Sequence, residues 1–179
     1  MGSLFNNHTV LHHEDDIRRE KMPNQLRHTK ERIDLIMFEK IFVAIDKSEI
    51  TNKILEATVE IAQNKNTQVT LVNVSHAYVN SGMPYIPESY LEEMLNEMEK
   101  MSLEQLQQAR FKLAAEGIFA ETIHLKGDPA HEILNYAKNT KQQLIIIGSR
   151  GLSGIKEMML GSVSHKVSQL SNCPVLIVH

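Results

Sequence analysis

Hydrophobic and polar positions change period repeatedly along this chain, and after residue 38 the changes alternate in a regular way. Five short segments are apolar and β-branched and are mostly bounded by turn or cap residues: KIFVAID (40–46), TQVTLVNV (67–74), AETIHLK (120–126), QLIIIGS (143–149) and PVLIVH (174–179). They predict five strands. Three are nearly continuous apolar runs, the pattern of a strand covered on both faces. The segments between them carry the period of a helix. After Ser48, a candidate N-cap, Ile54, Thr58, Ile61 and Ala62 share a face. Residues 88–116 place Leu91, Leu95, Met98, Ser102, Leu106, Ala109 and Leu113 at steps of three and four, which predicts a long amphipathic helix. Asp128 and Pro129 read as a cap and a first-turn proline ahead of Ala130, Ile133, Leu134 and Ala137, and Val163, Val167 and Leu170 mark a last helix.

Strand alternating with helix five times implies a three-layer, doubly wound, Rossmann-like α/β fold. Parallel neighbours need crossovers, and right-handed crossovers put helices on both faces of the sheet. Ligands in such folds sit beyond the carboxyl ends of the strands, where the winding reverses. Strand one ends in Asp46, strand two in Val74-Ser75-His76, strand three in Gly127-Asp128, and strand four runs into Gly148. If strands one and four are neighbours at the reversal, Asp46 faces the segment that follows Gly148 across a crevice.

That segment, GSRGLSGIKEMMLGS (148–162), holds four of the chain's eight glycines. Gly148 and Gly151 let a backbone turn tightly and present N–H groups without Cβ atoms in the way. Gly161 and Ser162 stand just before the last helix, whose unpaired amides and dipole favour an anion. Ser162 or Ser164 can cap that helix or donate a hydroxyl to a phosphate. Two separated anion-binding backbones suit a polyphosphate better than a single carboxylate; the alternative is a glycine-rich hinge with no ligand.

Composition narrows the field. A chain of 179 residues, 42% hydrophobic and 23% charged, suffices for one ordinary core. A formal charge of -3 gives no footprint for nucleic acid or an acidic membrane, and no apolar run approaches the length of a membrane span. The N-terminus lacks the order of a secretory signal, and the lone Cys173 fits a reducing compartment, so a cytoplasmic location is expected. Residues 1–36 carry six acidic and six basic side chains, four of the nine histidines and no sustained period. They read as a flexible extension to a domain spanning 37–179, and one expectation is that the native chain starts at Met37. His8, His12 and His13 lack a carboxylate or cysteine partner at a matching spacing, so no metal site is expected there.

The motif Gly148-x2-Gly151-x9-Gly161-Ser162, with Asp46 in VAID, Val74 in LVNV and NCPVLIV at the end, resembles the ATP-binding branch of the universal stress protein family. The resemblance covers residues 38–179. It implies the strand order 3-2-1-4-5 and ATP, with or without magnesium, as the ligand. Ala44, Ile45 and Asp46 would wall the adenosine, and Val74 would offer its backbone to the adenine edge. Gly148, Ser149, Arg150, Gly151, Leu152, Ser153 and Gly154 would wrap ribose and phosphates, and Gly161, Ser162, Val163 and Ser164 would complete the cradle. The resemblance also implies a homodimer paired through the C-terminal strand at 174–179. Departures are Ala44, where some relatives have proline, and Lys47, where small or hydroxyl residues are usual.

Plainer readings stand beside these. Asp46 can simply cap the next helix, Arg150 can be solvated, and His76, His124, His131 and His165 read as structural or solvent-facing. Residues 77–89 form a proline-punctuated connection that either covers the site or wanders. There is no GxxxxGK[ST] phosphate loop and no nucleophile with an adjacent base. The expectation is a cytosolic nucleotide-dependent sensor or switch with slow or no hydrolysis and no catalytic residue. The rivals are a nucleotide-free dimeric interaction module and an adenylating enzyme.

Overall fold

In the computed structural model of the chain, residues 38–62, 67–75, 87–151 and 160–179 are described. The expectations for residues 1–36, for His76 and most of 77–89, and for Leu152, Ser153 and Gly154 lie outside them.

The elements follow the periodicity closely. Strands β1 (Lys40–Ala44), β2 (Gln68–Ser75), β3 (Ala120–Lys126), β4 (Leu144–Gly148) and β5 (Val175–Val178) alternate with helices α1 (Thr51–Ile61), α2 (Glu88–Ala115), α3 (Pro129–Asn139) and α4 (Ser162–Leu170). All strand pairs are parallel and the order is β3-β2-β1-β4-β5. The winding therefore reverses between β1 and β4, as the sequence argument required.

Alternate residues of the inner strands feed two cores. Ile41, Val43, Val69, Leu71, Leu144 and Ile146 meet Ile54 and Leu55 of α1 and Leu106, Ala109 and Leu113 of α2 on one face. Phe42, Ala44, Val72, Ile145 and Ile147 meet Ala130, Ile133 and Ala137 of α3 and Val167 of α4 on the other. Phe42 stacks on Tyr136 of α3 at a centroid distance of 4.8 Å, tying that helix to the central strand.

Two local expectations need correction. The residue at the N-cap of α1 is Ile50, not Ser48. Ser48 is drawn into a turn by Asp46: its amide donates to Asp46 Oδ1 at 2.9 Å, and its hydroxyl donates to the same oxygen. The stripe of α2 is buried only from Ser102 onward, while Leu95 and Met98 are 36% and 39% exposed. The reason is length. Twenty-eight helical residues extend about 42 Å, whereas the eight residues of β2 reach roughly 26 Å, so the first turns of α2 overhang the sheet.

Candidate functional site

A cavity of about 360 Å³ opens at the carboxyl ends of β1 and β4. Its wall includes Ala44, Ile45 and Asp46 from the end of β1, Val74 from β2, Gly148, Arg150 and Gly151 after β4, and Gly161, Ser162, Val163 and Ser164 at the start of α4. Ile54, Ile133 and Ile147, read from the pattern only as helix or strand positions, and Pro129, read as a first-turn proline, add apolar surface. Residues far apart in sequence are thus collected at one place because every strand delivers its carboxyl end to the same edge.

Asp46 meets Gly151 across this cavity. A Cβ added to Gly151 would lie 2.7 Å from Asp46 Oδ2, closer than real side-chain contacts allow. With Oδ1 occupied by Ser48, the Asp46 carboxylate shapes the entry to α1 with one oxygen and turns the other toward the cleft. The expected helix cap is not formed: Ile50 stands at the N-cap of α1 without a side-chain cap bond, and Asp46 instead holds Ser48 in the turn before it. Thr51 reinforces the turn by donating its hydroxyl to the Asp46 carbonyl at 2.7 Å. Gly148 answers a different need: its Cβ would come within 2.7 Å of Ile50 Cγ2 and 3.3 Å of Ile54 Cδ1, so the absent side chain admits α1 to the strand end. Gly161 is under no such pressure, since a Cβ there would make ordinary contacts at 3.5 Å and beyond.

Among the described residues, no side chain caps the start of α4. Gly161 occupies the N-cap and has no side chain with which to cap. Its carbonyl accepts the first helical bond, from His165 N–H at 2.9 Å, so the amides of Ser162, Val163 and Ser164 precede the intrahelical ladder. The hydroxyl of Ser164, in contrast, is engaged inside the protein, shared between the carbonyls of Ser149 and Gly161 at 3.0 Å each. The hydroxyl expected to meet a phosphate is therefore already committed within the protein. Helix α3 shows what a finished start looks like: Asp128 Oδ1 accepts from His131 N–H at 2.9 Å, with Pro129 in the first turn.

Ser149 departs from its expected position. It is 3% exposed and does not line the cavity. Its amide donates to the Val178 carbonyl at 2.7 Å, and its carbonyl accepts from Gly161 N–H at 2.7 Å. Both backbone groups are thus committed to joining β4, β5 and α4. Arg150 is exposed at the rim, and among the described residues its guanidinium forms no ion pair.

Beside the cavity, under α2, lies a polar layer that the sequence did not reveal. Asn73, 6% exposed, donates from Nδ2 to the Ile45 carbonyl at 3.0 Å and to Gln105 Oε1 at 3.3 Å. The only hint was a polar residue inside an apolar strand. His124 Nε2 lies 3.0 Å from Ser75 Oγ, and its Nδ1 lies 3.7 Å from Glu99 Oε1. Burial holds the His124 pKa below its ordinary value, against the opposing pull of Glu99. Lys126 donates to Glu99 Oε2 at 2.7 Å and draws that carboxyl below the usual range.

The model for the universal stress protein family matches residues 37–179. The chain belongs to that family. Universal stress protein YxiE of Bacillus subtilis is 50% identical over 147 residues, covering 79% of this chain and 99% of its own. Among solved structures, that of MJ0577, a Methanocaldococcus jannaschii protein, superposes with a TM-score of 0.70 at 27% identity, covering 80% of this chain and 96% of its own. The universal stress protein of Archaeoglobus fulgidus solved in complex with dAMP shares the fold, with a TM-score of 0.54 at 24% identity and coverages of 80% and 100%. Membership in this family makes the chain a stress protein whose fold has neighbours solved with bound nucleotide. None of its described helices is long and apolar enough to cross a membrane.

Proposed function

We propose that this universal stress protein binds ATP, with or without magnesium, in the cavity between β1 and β4, and works as a nucleotide-dependent sensor or switch. The observation that carries this reading is that the start of α4, which has no side-chain cap among the described residues, shares one cavity wall with the Asp46 oxygen that the Ser48 turn does not use. Helix-start amides that precede the intrahelical ladder favour an anion, and three in one helical turn suit a phosphate. Asp46 Oδ2 is an acceptor suited to a ribose hydroxyl, and Val74, Ile133, Ile147 and Val163 give an apolar wall for a base. Arg150 at the rim complements the outer phosphates. A volume of about 360 Å³ falls within the roughly 300–1,000 Å³ of small-molecule sites. The dAMP-bound fold neighbour supports the choice of an adenine nucleotide.

Among the described residues, Asp46 is the one carboxylate on the cavity wall, and one of its oxygens is committed to Ser48. No second acid stands ready to orient a water against a γ-phosphate among the lining residues, so binding with slow or no hydrolysis is the proposed outcome. The nucleotide-binding unit is residues 37–179, acting in the cytoplasm. The outer edge of β5, whose four residues are half-buried and which among the described residues pairs with β4 alone, is the surface proposed to join a second copy.

Isothermal calorimetry with ATP, ADP and AMP tests the reading directly. Thermal unfolding gives a second measure: ligand at a hundred times its dissociation constant adds about 2.7 kcal/mol of stability. Absence of both heat and shift would favour a nucleotide-free interaction module.

A further inference from the structure

We propose that the side-chain amide of Asn73 sets which nucleobase the cleft accepts, by taking the place of the next rung of the β1–β2 ladder. The proposal rests on the nucleotide-binding reading and adds a residue that reading does not use.

Backbone groups alternate sides along a strand. The Val72 carbonyl accepts from Ile45 N–H at 2.9 Å, so Val72 faces β1. The Ser75 carbonyl accepts from Gly127 N–H at 3.0 Å, so Ser75 faces the β3 side. Val74, two residues beyond Val72, therefore turns its N–H and C=O toward β1. In an uninterrupted parallel ladder that N–H donates to the Ile45 carbonyl. Asn73 Nδ2 holds that carbonyl instead, at 3.0 Å, and spends its second hydrogen on Gln105 Oε1 of α2. Asn73 is 6% exposed, so water does not compete for the bond. Among the described residues, Val74 N–H then has no backbone partner, although Val74 lines the cleft.

A donor and an acceptor from one residue, side by side, read a base edge that offers an acceptor beside a donor. Adenine does so with N1 and its 6-amino group. Hypoxanthine and guanine present N1–H and O6 at the same places, setting donor against donor and acceptor against acceptor. Selection of 6-amino over 6-oxo purines thus follows from keeping Val74 out of the ladder. Asn73 does this without touching the base, as a positioning residue.

The test uses the full chain and two variants, Asn73→Leu and Asn73→Asp. The second keeps the size of the side chain should the first not fold, and both remove the donor to Ile45. Two quantities are measured: exchange of the Val74 amide in the nucleotide-free protein by NMR, and the affinities for ATP and ITP by calorimetry. In the wild type the Val74 amide exchanges quickly and ATP binds more tightly than ITP. In the variants the rung closes, Val74 exchange slows tenfold or more, ATP affinity falls about tenfold for one lost hydrogen bond, and the ATP-to-ITP ratio moves toward one. Gln105→Leu, which leaves the bond to Ile45 in place, keeps that ratio. Slow Val74 exchange in the wild type, or unchanged exchange and an unchanged ratio in the folded variants, overturns the proposal while ATP binding itself stands. A wild-type protein that binds neither nucleotide overturns the nucleotide reading and base selection with it, and the exchange result still reports whether Asn73 holds the rung open.

Discussion

Gly151 and Gly161 carry the same residue type for opposite reasons. At Gly151 any side chain meets Asp46 Oδ2 at 2.7 Å, and Asp46 is anchored by Ser48, so one of the two must yield. Gly151→Val is expected to displace the loop or the carboxylate and to abolish ATP binding, with little change in the unfolding midpoint, because the contact lies in the cleft rather than in either core. Calorimetry and thermal melts on one sample check both halves. At Gly161 a side chain fits, and what glycine withholds is a cap. Gly161→Asp is expected to cap α4, raising stability by a few tenths of a kcal/mol while its carboxylate occupies the amides and lowers ATP affinity. Higher affinity in that variant would mean that the helix start does not receive the phosphates. His124 belongs at this scale as well. Because burial holds its pKa below 6.5, the unfolded chain takes up the proton first as the pH falls. Stability is therefore unaffected above about pH 7, declines as the pH drops through 6.5, and levels off below the folded-state value. His124→Gln should flatten that decline in urea titrations between pH 7.5 and 5. Glu99, drawn below 4.5 by Lys126, loses its contribution only in the more acidic range beneath that. The sequence announced the two glycines but did not say what Asn73, Ser149 or His124 would bond to, because each partner depends on which strand lies alongside.

Elements were legible where their pattern was local. Every strand lies within a residue or two of its apolar run, and Asp128-Pro129 opens α3 as cap chemistry requires. The start of α1 was not legible, since the carboxylate of Asp46 competes for Ser48 and moves the helix to Thr51. Nor was the overhang of α2, because periodicity describes which face of a helix is apolar and says nothing of how far the sheet beneath extends. Phe42 tests the packing between layers: it is fully buried on β1 and stacked on Tyr136 of α3. Phe42→Ala is expected to cost about 3–5 kcal/mol in chemical denaturation, a large part of the stability of a domain this size. A loss under 1 kcal/mol would mean that the α3 layer closes over the gap.

At the scale of the whole molecule, the sheet order does most to make the site. With β1 and β4 adjacent at its centre, the cleft forms where neighbouring crossovers leave in opposite directions, and Asp46 reaches Gly151 although 105 positions separate them in the chain. Alternation of strand and helix implied the doubly wound class, while the specific order came from resemblance, since several orders satisfy the same pattern. The edges differ in kind. β3 exposes Glu121, Thr122 and Lys126, whereas β5 carries only Val, Leu and Ile. Pairing of a second copy is thus expected at β5, and Leu176→Lys should shift the mass measured by light scattering from two chains to one. An unchanged mass would move the contact elsewhere.

Ser149 has one more effect. By accepting the Gly161 amide at 2.7 Å, its carbonyl staples together the two ends of everything that lies between them. The end of β4 and the first turn of α4 therefore move as one piece, and a displacement imposed on either is handed through the Ser149 amide to Val178 at the rim of the sheet.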